Sequence, residues 1–197
     1  MSNYAIVIQA RTSSTRLPKK VLMDLEGMPM LLRQVDRLTH FIPDIPLIVN
    51  TSNDSSDDPI ESLCNEHGIN CYRGPLDDVM LRFIKCADEF DIDFIIRVGG
   101  DDPLVDPECC KTLISIHKDE NQDFLYASNR EGWPYGTAAE LISTKILKEI
   151  HTKTEDPLYR EHIIPYFFDN LDEFVTGKVI APIEIRRPDY FFTVDFL

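Results

Sequence analysis

Cations are scarce in this chain. Its 197 residues carry 20 lysines and arginines against 34 aspartates and glutamates, a formal net charge of −14. That balance argues against broad contact with nucleic acid, which needs a cationic surface tracking the phosphate backbone, and against docking on anionic membranes. Long apolar runs are also missing: nowhere do roughly 18 apolar residues follow one another, so no membrane span is expected. The opening Met1-Ser2-Asn3-Tyr4 lacks the cationic lead-in of a secretory signal. The five cysteines (Cys64, Cys71, Cys86, Cys109, Cys110) are odd in number and lack the paired spacing of a zinc site. They read as reduced thiols of a cytoplasmic protein, most of them in the core. No linker, repeat or low-complexity stretch interrupts the sequence. Its length and its apolar fraction of 43% fit one domain over residues 1–197.

Against this background one stretch stands out. No Asp or Glu precedes Asp24, yet Arg11, Arg16, Lys19 and Lys20 place four cations within ten residues. They share Ala10–Leu22 with Thr12, Ser13, Ser14, Thr15 and a Leu17-Pro18 bend, directly after the apolar run Tyr4–Ile8. Hydroxyls, cations and a tight bend after an N-terminal strand suit a phosphate cradle; the plainer reading is a solvated surface loop. An acidic protein that holds a polyanion needs such a local positive site or a divalent metal.

Strand-like and helix-like segments alternate along the chain. Strands are expected at Tyr4–Ala10, Pro46–Asn50, Ile69–Tyr72, Ile92–Val98, Phe124–Ser128 and Tyr190–Val194. Met28, Leu31, Leu32, Val35 and Leu38 fall at helical spacing, as do Leu76, Val79, Met80, Phe83 and Ala87. Asp58-Pro59, Asp106-Pro107 and Asp156-Pro157 read as helix starts, each an N-cap aspartate followed by proline at the first helical position. Residues 129–144 are less regular and are expected to form an insertion or lid. The alternation predicts an α/β fold with a mainly parallel sheet, whose ligands sit beyond the carboxyl ends of the strands.

Polar clusters follow the expected strands. Gly99-Gly100-Asp101-Asp102 ends the most apolar one; glycines there let backbone approach a ligand, and Asp101 facing a phosphate loop suits a divalent cation. The plainer reading is a polar turn. Asp102 either supports a neighbouring ligand or is exposed. Asp195 ends another apolar strand and is the second candidate ligand. Arg160-Glu161-His162 reads best as a solvated helical face with an ion pair. Tyr135-Gly136-Thr137 and Glu140 either line a polar pocket or form an ordinary turn. His40, His67, His117 and His151 fit helix faces or ends and are assigned no functional role.

Together these stretches resemble the sugar cytidylyltransferases, the family of the acylneuraminate and Kdo enzymes. The resemblance lies in Ala10-Arg11 with Ser14-Thr15-Arg16-Leu17-Pro18 and Lys20, then Arg73-Gly74 with Asp77–Phe83, then Arg97–Pro107. Ser128-Asn129, Arg160–Tyr166 and Thr193-Val194-Asp195 follow in the same order. The wording is closest to the branch associated with spore coat polysaccharide biosynthesis, and the match spans essentially the whole chain.

The resemblance implies a three-layer α/β/α, Rossmann-like nucleotide-diphospho-sugar transferase fold. It also implies transfer of CMP from CTP to an acidic 2-keto sugar, with Mg²⁺ as cofactor. On the matching positions Arg11, Ser14, Arg16 and Lys20 would bind the triphosphate, with Ala10 and Gly100 beside the nucleotide. Asn50 and Thr51 would lie near the base or ribose, and Arg73 and Gly74 would help to define the nucleotide pocket. Asp78 and Arg82 would be structural, Asp101 and Asp195 would hold the metal, and Tyr135, Gly136 and Glu140 would face the sugar. Arg11, Arg16, Lys20 and Asp101 would carry the catalysis. Relatives are often homodimers, although no apolar stripe in this sequence demands one. Other readings are a transferase using another nucleoside triphosphate, and a nucleotide-binding protein without catalysis.

Three departures from the family pattern are visible. Lys19 stands where glycine is usual, and Ala138 where an aspartate is usual. The sequence ends at Leu197, two residues past Asp195, where relatives continue into a further helix. Asp195 is therefore expected to be loosely held.

Overall fold

The computed structural model describes residues 2–14 and 16–195. Seven strands form one sheet. Strand β1 (Tyr4–Gln9) lies inside it and leads through the cationic loop to α1 (Met30–Phe41). Next come β2 (Leu47–Ser52), α2 (Asp58–Glu66), β3 (Asn70–Gly74), α3 (Val79–Glu89) and β4 (Phe94–Gly99). The second half holds α4 (Pro107–Glu120), β5 (Phe124–Tyr126), β6 (Glu140–Ser143) and α5 (Thr144–Lys153). The short helices α6 (Pro157–Glu161) and α7 (Ile163–Asp169) and strand β7 (Thr176–Lys178) follow.

The strand order is β3-β2-β1-β4-β6-β5-β7. Only β6 runs against its neighbours, pairing antiparallel with β4 and β5. The central strands are buried on both faces, as parallel strands under helices must be. Ile6 and Ile8 of β1 enter one core with α1, α2 and α4. Ala5 and Val7 enter the other with α3, α5 and α7. These are the three layers of the nucleotide-diphospho-sugar transferase fold.

Three sequence expectations change. Glu140–Ser143, expected within an irregular insertion or lid, is β6, an interior strand; only the part before it is irregular. Four residues running straight into a helix carry too short a pattern to announce a strand. Residues 190–194 make no ladder, only an isolated bridge between Tyr135 and Phe191. Asp58 is the first residue of α2 rather than its cap, and the side chain of Asp57 before it makes no capping bond. Several apolar side chains stand exposed in residues 180–192, among them Ile183 at 74% and Phe191 at 71%. Asp106 and Asp156 cap as expected, accepting from the N–H groups of Glu108 and Leu158 at 2.9 Å. Among the described residues no helix is long and apolar enough to cross a membrane.

Candidate active site

The parallel strands end together at one edge of the sheet, and the polar clusters meet there. The loop after β1 starts at buried Ala10, whose N–H donates to the Asn50 carbonyl at 3.2 Å. It closes where Lys19 N–H donates to the Thr12 carbonyl at 2.8 Å. Lys19 sits at φ 59°, in the left-handed region. A side chain in this conformation costs about 1 kcal/mol, which glycine would avoid. The Lys19 side chain itself is exposed. Ser14 Oγ accepts from Leu17 N–H at 3.3 Å within the loop. Thr15 of the motif lies outside the described residues.

Lys20 is the buried cation of the site. Its Nζ donates to Asp101 Oδ2 at 2.8 Å and to Asp195 Oδ1 at 2.9 Å. Burial works against its charge, but the two carboxylates outweigh that and hold the ammonium above its ordinary pKa. The second oxygen of Asp195 meets Arg16 Nη1 at 3.0 Å. The last residues are further tied by Val194 N–H to the Asp101 carbonyl at 2.9 Å. Asp195, expected to be loosely held, thus has two cations on it. Arg11 reaches across to α6, where Nη1 meets Glu161 Oε1 at 3.1 Å.

The turn after β4 is compact. Gly100 N–H donates to the Gln9 carbonyl at 2.8 Å, and a Cβ on Gly100 would fall 2.8 Å from that same oxygen, so only glycine fits. Gln34, buried in the apolar face of α1, donates to the carbonyls of Gly99 and Asp102 at 2.7 and 2.9 Å. It fixes the turn that carries Asp101. Its only sequence signal was a glutamine among the apolar positions of α1. Asp102 is not simply exposed: Thr193 Oγ1 donates to it at 2.8 Å. Burial, with Asp101 adding repulsion, pushes its carboxyl up to about 7.

Two adjoining cavities open here. One of about 240 Å³ is lined by Arg11, Ser14, Arg16, Lys20, Asp101 and His162. The other, about 610 Å³, is lined by Tyr135, Gly136, Glu140, Asp102, Arg16 and Asp195. Arg97 lines both cavities, donating to Glu140 at 3.1 Å and to Gln9 at 3.2 Å. Burial holds the Glu140 carboxyl above its ordinary pKa despite that cation. A larger hollow of about 750 Å³ at the opposite edge contains none of the motif residues.

Other expected site residues lie outside both cavities. Asn50 and Thr51 are fully buried in β2, and their side-chain polar atoms find no hydrogen-bond partner among the described residues. Arg73 braces α2 to β3, pairing with Asp58 and Glu61 at 2.7 Å each and donating to the carbonyls of Ser52 and Asp54 at 2.9 Å each. Gly74 passes under the stem of buried Arg82. Asp78 caps α3 through Leu81 N–H at 2.8 Å and pairs with Arg160 at 2.9 Å. Arg160-Glu161-His162 has the expected ion pairing and an exposed His162, but the pairs run to distant elements rather than along one helical face. Its first two members are ion-paired across the fold, and the third lines the small cavity.

Cations at strand ends, glycine-tight turns and two converging carboxylates on this fold define a nucleotidyltransferase. The chain belongs to the cytidylyltransferase family, whose model matches residues 5–195. It is 32% identical to the spore coat polysaccharide biosynthesis protein SpsF of Bacillus subtilis, over 99% of this chain and 82% of that one. It is 28% identical to a 3-deoxy-manno-octulosonate cytidylyltransferase of Koribacter versatilis, over 92% of this chain and 67% of that one. A cytidylyltransferase structure from Leptospira borgpetersenii superposes with a TM-score of 0.91 at 27% identity, covering 99% of this chain and 82% of that one.

Proposed function

We propose that this protein transfers CMP from CTP to an acidic sugar of the 2-keto acid class, releasing pyrophosphate, in surface polysaccharide synthesis. The observation that carries this reading is the meeting of Arg16, Lys20, Asp101 and Asp195 where the two cavities adjoin. The small cavity suits the triphosphate, held by Arg11, Ser14, Arg16 and Lys20. The wider one suits the acceptor, beside Tyr135, Gly136 and Glu140.

An acceptor oxygen attacks the α-phosphorus, the bond to the bridging oxygen breaks, and pyrophosphate leaves with the electron pair. Positioning and charge neutralisation by Arg11, Arg16 and Lys20 supply most of the catalysis. Each of these cations now faces a carboxylate, so binding the triphosphate is an exchange of partners. Asp101 and Asp195 would hold Mg²⁺. One oxygen of each now lies on Lys20 Nζ, at 2.8 and 2.9 Å, and this ion is bound through one or two carboxylates plus phosphate oxygens. When bound it would polarise the α-phosphate and lower the pKa of the attacking hydroxyl.

The test is pyrophosphate release with Mg²⁺ and CTP, UTP, ATP or GTP, against a panel of 2-keto sugar acids. Release with CTP and at least one acid is expected. Release only with another triphosphate reassigns the base. Calorimetric CTP binding with no release across the panel would sink the catalytic reading.

In the same assay Gly136→Ala is expected to be slow. Gly136 has φ 84°, and a Cβ there would fall 2.7 Å from Thr193 N and Oγ1. Residues 190–195 must then shift, carrying Asp195 away from Lys20. We expect about tenfold slower turnover and about 2 kcal/mol lower stability by thermal melting. Wild-type turnover would remove Gly136 from the site.

A further inference from the structure

Asp57 is a buried charge that the reaction does not use directly. It is fully inaccessible, between β2 and α2, and makes no ion pair among the described residues. A buried carboxylate persists only if its oxygens are hydrogen-bonded. Those of Asp57 are, and the partners divide into two sets. Oδ1 accepts from Thr12 N–H at 2.7 Å and lies 2.8 Å from Thr12 Oγ1, whose single proton it shares with the Ser56 carbonyl, also 2.8 Å away. Oδ2 accepts from Ser52 N–H at 3.3 Å and from Ser52 Oγ. One oxygen holds the cationic loop and the other holds the end of β2. Burial pushes the carboxyl up, but these four bonds outweigh it and keep it below the ordinary carboxylate range.

Thr12 is the node of the loop. It follows Arg11 directly, and its carbonyl takes the N–H of Lys19, next to Lys20. We propose that Asp57 is a positioning residue for the triphosphate, acting through Thr12 to hold both ends of the Arg11–Lys20 loop in binding geometry. The proposal rests on the reading of that loop as the triphosphate site.

The two oxygens permit a separating experiment. Asp57→Asn, Thr12→Val and Ser52→Ala are each melted, and KM and kcat for CTP are measured. Asp57→Asn is expected to raise KM about tenfold while kcat changes less. Thr12→Val, which keeps the backbone bond and takes the hydroxyl from both Asp57 and the Ser56 carbonyl, is expected to raise KM about threefold. Ser52→Ala is expected to lower Tm while leaving KM within about twofold, because the Thr12 side stays intact. Combining Asp57→Asn with Thr12→Val should add little to Asp57→Asn alone, since both act on one contact. The proposal is overturned if folded Thr12→Val and Asp57→Asn keep wild-type KM, or if Ser52→Ala raises KM as much as they do. Should Asp57→Asn fail to fold, the Thr12→Val and Ser52→Ala pair decides alone. A wild-type protein that neither turns over nor binds CTP overturns the loop reading itself, and the proposal with it.

Discussion

Lys20→Met is expected to cut pyrophosphate release by about 100- to 1,000-fold, the usual loss when one preorganised charge-stabilising donor is removed. Lys20 is 6% exposed, so its ammonium works in a poorly screened setting. The substitution also exposes Asp101 and Asp195 to each other, with Arg16 left beside the second. Breaking a buried pair by removing one partner costs several kcal/mol. Because Asp101 and Asp195 keep 33% and 22% side-chain exposure, solvent reduces that here to about 2 kcal/mol. Two measurements check this: Tm without ligand should fall, and turnover should collapse. Turnover within tenfold of wild type would show that Lys20 does not face the reacting phosphates. The methionine keeps the stem's apolar contacts, so the loss reports the charge.

The second large effect is on stability against pH and concerns Asp102. Its carboxyl is pushed up to about 7 in the fold, whereas in the unfolded chain it titrates near ~3.9. Between those values the folded state binds more protons than the unfolded one. Stability must then fall as pH rises from about 4 to about 7, and level off above. The full span corresponds to at most about 4 kcal/mol. Asp102→Asn keeps an acceptor for Thr193 and removes the charge. In chelator-containing buffer it is expected to flatten this part of the profile and to raise Tm at pH 8 relative to wild type. A variant melting no higher than wild type at pH 8, with an unchanged pH profile, would contradict the buried charge.

Much of this was written locally. Apolar runs with short polar breaks gave β1, β2, β3 and β4. Asp106-Pro107 and Asp156-Pro157 marked helix starts because an N-cap and a proline act within one turn. The family motifs lie at strand ends, so their order announced which edge of the sheet would hold the site. What stayed hidden depends on partners far along the chain. Asp58-Pro59 reads as a cap and its first proline position, yet Asp58 is the first residue of α2, and Asp57 before it turns to Thr12, 45 residues earlier. Arg160-Glu161-His162 reads as solvated because nothing nearby in sequence needs it. Its partners are Asp78 and Arg11, 82 and 150 residues away. Strand β6 carries too few residues for its period to show, and its place is set by pairing with β4 and β5.

The sequence by itself determined an acidic α/β chain with a cationic loop after its first strand, carboxylates after later strands, and the ordered motifs of one enzyme family. Those features are local, fixed by hydrophobic period, capping chemistry and residue spacing. Only the tertiary structure decided that Lys20 lies between Asp101 and Asp195, residues 81 and 175 positions away. Only the tertiary structure decided that Glu161 covers Arg11 and that Asp57 anchors Thr12. Such pairs form because packing two cores onto opposite faces of one sheet brings the strand ends together. A buried charge must then find its partner wherever the fold has placed one.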